Sequence, residues 1–190
     1  VTTASAIDYE RAVTLGGIEK RLIEHLRTYY RRNDLTGALP LGHLQSLALP
    51  FESYKLVFTP GLAKQMFVDS GKLLQADLDS ALVDSAKYVH TEGDANWWIP
   101  SGQTFYDPAG NIGLELTYAQ QHFFLPHRYR NPFHTNTVST ESSVTYDIYD
   151  LLVHETLDAL GNQVTVGERQ WVLADGTVLY NLPRREDPAA

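Results

Sequence analysis

One short tract, Asp158-Ala159-Leu160-Gly161-Asn162, constrains the fold of this 190-residue chain more than any other. The Asp158 carboxylate can accept hydrogen bonds from backbone N–H groups ahead of it. Gly161 can adopt a positive φ without strain, and Asn162 tolerates the left-handed region. A tract of this composition predicts a turn that folds the chain back on itself.

The residues on both sides of this turn have the pattern of β-strands. Apolar and polar side chains alternate from Val144 to Tyr149 and again from Gln163 to Gly167. This period of two is the one that strands require. The sequence therefore predicts a β-hairpin over Val144–Arg169, entered through the pair Tyr146-Asp147.

Related turns occur twice more. Tyr106-Asp107-Pro108-Ala109-Gly110-Asn111 is a looser copy upstream, and Ala174-Asp175-Gly176-Thr177 is a third tract of similar composition. Their spacing is irregular, so they do not form the regular tandem array that announces a solenoid.

Composition excludes several classes of function. A net charge of −8 disfavours binding to nucleic-acid backbones or anionic lipid surfaces, since both require clustered Lys and Arg. There is no cysteine, which excludes disulfides, thiolate metal sites and cysteine nucleophiles. The sequence shows neither a signal peptide nor an apolar run of the ~20 residues that a membrane span needs. The chain begins at Val1, which suggests a piece of a longer polypeptide.

The first part of the chain predicts mixed structure. Ile18 to Arg32 has both helical spacing and a one-faced strand pattern, and the apolar count alone favours a helix. Further on we expect a turn at Asn33–Gly37 and a strand over Phe51–Phe58. Pro60 should open a short helix that stops near Gly71, with a second helix from Leu73 to Lys87.

The middle of the chain predicts alternating short elements. Residues 93–96 break the second helix, and Trp97–Gly102 leads into a strand at Gln103–Tyr106. A short helix follows at Leu114–Phe123, and the Pro-, Thr- and Ser-rich residues 126–143 are expected to form a connecting loop. The chain is thus expected to be a single fragment, mixed over residues 1–142 and made of β-hairpins over 143–190.

The sequence does not support a metal site or a serine nucleophile. His122, His127, His134 and His154 invite a metal site, but the first two are five residues apart and point to different faces of a helix. Ser101 lacks the Gly-x-Ser-x-Gly elbow of a hydrolase nucleophile.

Another alternative is carbohydrate chemistry. Glu92 and Asp94 precede Trp97 and Trp98, a composition found in sugar-cleaving clefts, where two carboxylates must flank the scissile bond. The same indoles, with the eleven tyrosines, could also form an exposed platform in a carbohydrate-binding β module.

The remaining charged residues offer no specific site. Arg27, Arg31, Arg32, Arg128 and Arg130 could bind an acidic partner, although such side chains more often cover apolar surface with their stems. Gly71-Lys72 lacks the preceding glycine of a phosphate loop. The sequence predicts no catalytic, cofactor-binding or metal-binding residue.

Several tracts together resemble one protein family. The pair Tyr-Asp followed by Asp-x-x-Gly-Asn is similar to the YD repeat of Rhs-type proteins. The wider order of tracts resembles the B component of bacterial insecticidal toxin complexes over about Ile18–Arg169. These tracts are Tyr30–Gly37, Leu49–Tyr54, Phe58–Leu62, Asn96–Gly102 and His122–Pro126.

The resemblance implies a fold and a role. The fold would be mainly β with a few short helices, its antiparallel hairpins forming part of a larger β-sheet shell, and Leu22–Arg31 would be a strand. The implied role is structural: a secreted shell, closed with a C component, encloses a toxic effector. The tract Leu182–Pro188 fits the family less well, and no self-cleaving aspartyl site matches here. An isolated fragment of such a shell would self-associate through unpaired strands or rely on its helices to cap the sheet.

Overall fold

The computed structural model describes residues 3–165, 169–172 and 174–181. The fold is mainly β with short helical segments, which confirms the predicted class. The strands are β1 Ser5–Ile7, β2 Glu19–Arg21, β3 Leu26–Tyr30, β4 Pro50–Phe58, β5 Trp97–Pro100, β6 Gln103–Phe105, β7 Arg128–Arg130, β8 Glu141–Tyr146, β9 Val153–Leu157, β10 Gln163–Thr165, β11 Arg169–Val172 and β12 Val178–Asn181.

The helical segments are all short. They are α1 Pro60–Ala63, a π-helical turn Lys64–Val68, a 3-10 turn Gln75–Asp77, a π-helical segment Ser80–Ser85 and α2 Glu115–Gln121. In the part of the chain that the structure describes, no helix has the length and apolar character needed to cross a membrane.

Contacts divide the chain into two compact units, residues 1–33 with 37–102 and residues 34–36 with 103–190. We call them the first and the second unit. The expected organisation as a single fragment, mixed over 1–142 and hairpins over 143–190, stays a prediction.

The first unit contains a three-stranded antiparallel sheet in the order β3-β4-β5 and a parallel pair, β1-β2. Its core is an apolar cluster formed where the helical segments pack on this sheet. The fully buried members are Ala63, Leu78, Leu82 and Trp97, with Phe58, Phe67, Val68, Leu73, Val83 and Tyr88 packed around them.

Local chemistry explains how the first helical segment begins and ends. The hydroxyl of Thr59 accepts a hydrogen bond from the backbone N of Leu62 at 3.2 Å, and Pro60 occupies the first helical position. Gly71 ends the segment with φ of +74°. These are the helix start and stop that the sequence predicts.

The second unit contains a five-stranded antiparallel sheet in the order β10-β9-β8-β7-β6. Every strand pairs with its neighbour in sequence, so the sheet is a meander. Strands β11 and β12 form a separate antiparallel hairpin around the third predicted turn.

Two predictions about single elements were wrong, and a third is confirmed in part. The helix that the apolar spacing favours over Ile18–Arg32 is absent, because this stretch contains β2 and β3. The strand implied for Leu22–Arg31 is present, but it covers only Leu26–Tyr30. The helix expected over Leu73–Lys87 consists of two short segments, Gln75–Asp77 and Ser80–Ser85. Lys87 is not helical, since its φ is +60°.

Two predicted connections contain strands. Trp97–Pro100 forms β5, which pairs with β4. Trp98 also forms an isolated β-bridge with Val89. The expected loop 126–143 includes β7 and the start of β8. Strands β5 and β7 have only four and three residues, which is too short for the alternation to be recognised.

The hairpin predicted over Val144–Arg169 is present, with one correction. The Asp158–Asn162 turn joins β9 to β10, but Asp147–Leu152 is a further turn, so the stretch from Val144 is two strands, β8 and β9. Residues 166–168, which belong to the predicted second strand, and the tract Leu182–Pro188 lie outside the described residues.

Candidate functional site

The turns of the second unit share one hydrogen-bonding design. At the first, the Asp107 carboxylate accepts from the backbone N of Ala109 at 3.0 Å and of Asn111 at 2.6 Å. The backbone N of Gly110 donates to the Asp107 carbonyl, and Gly110 has φ of +76°. One aspartate thus satisfies most of the donors of its own turn, which fixes the turn without an apolar core.

The Asp107 turn is also clamped to the sheet. Arg128 on β7 is buried, and its Nε donates to the Asp107 carbonyl at 2.7 Å. Its guanidinium lies so close to Gly110 that an added Cβ would come within 3.3 Å of it. Glycine is therefore required here both for its φ and for the close approach.

The same design recurs at the predicted second and third turns. The Asp158 carboxylate accepts from the backbone N of Leu160 and of Asn162, both at 2.8 Å, and Gly161 has φ of +85°. The Asp175 carboxylate accepts from the backbone N of Thr177 at 2.9 Å. These hydrogen bonds lower the pKa of Asp158, with the Asn162 side-chain amide contributing most.

A fourth copy of the turn was missed in the sequence. Asp147 accepts from the backbone N of Leu151 at 2.8 Å and of Leu152 at 3.2 Å. Asp150, with φ of +56°, stands three residues after Asp147, where the Asp107 and Asp158 turns have glycine. Aspartate is among the few residues other than glycine that adopt this region. The sequence signal for this turn is therefore two aspartates three residues apart, without a glycine.

The five-stranded sheet has one mainly polar face and one mixed face. Directly paired residues of neighbouring strands share a face. The mainly polar face bears Gln103, Phe105, Arg128, Arg130, Glu141, Ser143, Thr145, Glu155, Leu157, Gln163 and Thr165, and the mixed face bears Thr104, Tyr129, Ser142, Val144, Tyr146, Val153, Thr156 and Val164. Arg128 alone among the residues of these five strands is fully buried. Neither face has the continuous apolar pattern of a sheet that packs on a core.

Charge pairs replace apolar packing on the first of these faces. Glu141 accepts from Arg128 at 2.9 Å and from Arg130 at 2.5 Å, and both guanidinium groups lie over the Phe105 ring. Burial favours a raised pKa for Glu141, but the two arginines outweigh it and lower the pKa. These arginines are therefore engaged within the sheet.

The edge strand β10 presents main-chain groups outward. Asp158 and Asn162 form the hydrogen-bonded pair next to the turn. Hydrogen-bonded and non-hydrogen-bonded pairs alternate along antiparallel strands, so the main-chain groups of Val164 bond to β9. The main-chain N–H and C=O groups of Gln163 and Thr165 therefore point away from β9. Within the described residues β10 has β9 as its single neighbour. Such an edge can accept another strand.

The indoles considered as a carbohydrate platform are buried. Trp97 is 5% exposed and Trp98 0%. The Trp98 Nε1 donates to Asp94 at 3.0 Å, and the Arg27 guanidinium lies 3.9 Å from the centre of a Trp98 ring. The pair therefore offers no open surface on which a sugar could stack.

The two acids considered for sugar cleavage are engaged as well. Asp94 also accepts from Arg27 at 2.8 Å, and Glu92 accepts from the Tyr29 hydroxyl. Burial favours a raised pKa for Asp94, but the bonds from Trp98, Asn96 and Arg27 together lower it. Both carboxylates act as hydrogen-bond acceptors inside the first unit, and neither resembles a proton donor poised for catalysis.

The serine and the histidines considered as catalytic or metal-binding residues lie in different local environments. Ser101 accepts from the backbone N of Ser53 and donates to the Gly102 carbonyl, both at 3.0 Å, as part of a turn. His134 accepts from the backbone N of Thr140, and His154 is exposed on β9. His122 and His127 do come together, with ring centres 6.3 Å apart. No group of three potential metal ligands occurs among the described residues.

Comparison with known proteins finds similar solved structures. No protein-family model matches the chain, and no curated protein matches it. Among solved structures, a chain of the TcdB2-TccC3 complex is 18% identical, with a TM-score of 0.40, over 82% of this chain and 8% of that one. A chain of the TcdB2-TccC3-Cdc42 complex is 18% identical, with a TM-score of 0.39, over 81% of this chain and 7% of that one. This chain thus spans less than a tenth of the length of the chains it matches.

Proposed function

We propose that this chain is a structural segment in the wall of a hollow β-sheet shell, as in the B component of the toxin complexes that its sequence resembles. The observation that carries the proposal is the five-stranded sheet β6–β10. One face is mainly polar, the other is mixed and leaves Tyr129, Val153 and Val164 partly exposed, and one edge presents outward-pointing main-chain groups. A sheet with these properties is suited to a wall that is wetted on both sides and continued strand by strand.

The turns support the same proposal. Two connections of the meander, β8–β9 and β9–β10, are each closed by a carboxylate that binds the N–H groups of its own turn, and Asp107 does the same at the start of the longer β6–β7 connection. Hairpins fixed locally can be added in series without a core between them, which a wall one layer thick requires.

The partners follow from the shell role. They are the other parts of the same polypeptide, the C component of the complex and the enclosed effector, and the assembly is secreted. Nucleic acid is not a partner, since the chain is acidic. The role requires no catalysis, so we assign no catalytic, cofactor or metal residue.

The edge of β10 gives a direct test. Thr165→Pro removes an outward-pointing N–H without removing a bond to β9, whereas Thr165→Ala keeps that N–H and serves as the matched control. We expect the wild-type chain and Thr165→Ala to self-associate in sedimentation velocity with rising concentration, and Thr165→Pro to remain monomeric. A wild-type chain that stays monomeric over the whole range contradicts the proposal.

A further inference from the structure

A cluster of two histidines, two tyrosines and one aspartate joins helix α2 to the turn of residues 147–152. His122 follows α2, and its Nδ1 lies 2.8 Å from an Asp150 carboxylate oxygen. The His122 ring stacks on Tyr118 of the same helix with ring centres 4.0 Å apart. The His122 imidazole therefore links the turn to the helix.

His127 lies beneath this contact and is only 4% exposed. Its Nδ1 is 3.1 Å from the Val144 carbonyl, which can only accept, so Nδ1 carries the hydrogen and Nε2 presents a lone pair. Within the described residues Nε2 is buried and has no hydrogen-bond partner. Tyr118 and Tyr146 pack edge-on around the ring at 5.3 and 5.1 Å.

We propose that His127 and the His122–Asp150 pair form an acid-sensitive latch that holds the turn of residues 147–152 against helix α2. A proton taken from solvent at Nε2 of His127 would place a cation in a buried site beside His122. The site supplies no acceptor for the new N–H, so the protonated ring must move toward water.

The neighbouring groups determine how the latch opens. Burial lowers the pKa of His127, and the charge of His122 acts in the same direction, whereas the Val144 carbonyl, Asp150 and Asp107 oppose it. The remaining titratable groups against the ring are the phenols of Tyr118 and Tyr146. Because the pKa of His127 is lowered on folding, protons bind the opened state more tightly, and opening becomes easier as pH falls below 6.5.

The turn can respond because Asp150 occupies the left-handed region, with φ of +56°. Aspartate tolerates this region better than most residues with a Cβ but less well than glycine, and the bond to His122 helps to hold it there. Movement of His127 also removes its contacts with Val144 and Tyr146, which directly precede the turn. The Asp158 turn has glycine at the equivalent position and no histidine among its hydrogen-bond partners, so it provides an internal reference.

Hydrogen exchange of the whole chain between pH 7.5 and 5.5 tests the latch, after correction for intrinsic exchange rates. We expect opening of residues 147–152 to rise by up to about tenfold per pH unit, the limit for one coupled proton. The Asp158 turn should not change. His127→Gln should abolish the rise, and His154→Gln, which removes an exposed histidine of the same sheet, should leave it intact.

Three results would overturn the proposal: no rise in the wild-type chain, an equal rise at residues 158–162, or an unchanged rise in His127→Gln. If His127→Gln does not fold, imidazole NMR of the wild-type chain decides instead. The proton uptake of His127 must then follow the opening of the turn, and uptake without opening refutes the latch. These results do not depend on whether the chain belongs to a shell.

Discussion

In the first unit, an apolar cluster of helical segments and strands surrounds Trp97, whereas in the second unit a five-stranded sheet is held by charge pairs and by aspartates in its turns. Both units are mainly β. A packed core makes the first unit sensitive to the loss of side-chain volume. A meander without a continuous apolar face distributes its stability over many local hydrogen bonds, so each substitution should affect mainly its own turn.

The largest effect should come from removing a buried indole of the first unit. Trp98→Ala deletes the largest fully buried side chain and a partner of both Asp94 and Arg27. We expect a loss of about 3–5 kcal/mol in the free energy of unfolding. Denaturant unfolding measures this loss, and hydrogen exchange at β4 and β5 shows where the protection is lost.

A matched control lies in the second unit. Leu160 is 88% exposed in the Asp158 turn, and Leu160→Ala should change stability by less than about 0.5 kcal/mol. Equal losses in the two variants would show that the difference between the units is not one of core packing.

The next effect concerns the Asp107 turn of the second unit, whose aspartate is buried. Asp107→Ala leaves the N–H groups of Ala109 and Asn111 without their acceptor, and Asp107 is only 5% exposed. We expect a loss of about 2 kcal/mol, with faster exchange of residues 106–111. Unchanged exchange in that segment would refute the role given to the carboxylate.

A smaller loss of stability should distinguish the turn glycines Gly161 and Gly110. Gly161→Ala places a Cβ at φ of +85° with no neighbouring atom within 4 Å, which should cost about 1 kcal/mol from backbone strain alone. Gly110→Ala adds the contact with the Arg128 guanidinium to a similar strain. Thermal unfolding should therefore rank Gly110→Ala as the more damaging, and the reverse order would contradict the clamp.

The smallest effect is a change in pH dependence. Hydrogen bonds lower the pKa of Asp158 from 3.8, so its contribution to stability is present above that pH and is lost as pH falls through the lower folded value. Asp158→Asn should flatten the unfolding profile below pH 4, as followed by exchange at residues 158–162. Because the carboxylate is exposed, the change should be small and weakened by salt.

The turns were predictable from sequence because their chemistry is local. Asp158 and Gly161 specify a conformation within five residues, and the structure has the predicted turn there and at Asp107. The turn at Asp147 escaped because Asp150 replaces glycine, so the pattern looked like continuous strand. The helix–strand ambiguity of Ile18–Arg32 was resolved by the pairing of β2 with β1 and of β3 with β4, which a local pattern does not contain.

The polar networks could not be predicted for a related reason. Arg27 meets Asp94 across more than sixty residues of chain, and Glu141 meets Arg128 only because β7 and β8 pair in one register. The pairing of His122 with Asp150 depends on a turn that was itself missed. Burial of Trp97 and Trp98 likewise follows from the position of β5 next to β4.

The central claim, that the second unit is part of a larger wall, is tested most directly by a structure of the full-length gene product. We expect a hollow assembly in which a further strand pairs with the outward-pointing groups of Gln163 and Thr165 on β10. A β10 edge that faces solvent, in a particle with no enclosed cavity, would contradict the claim.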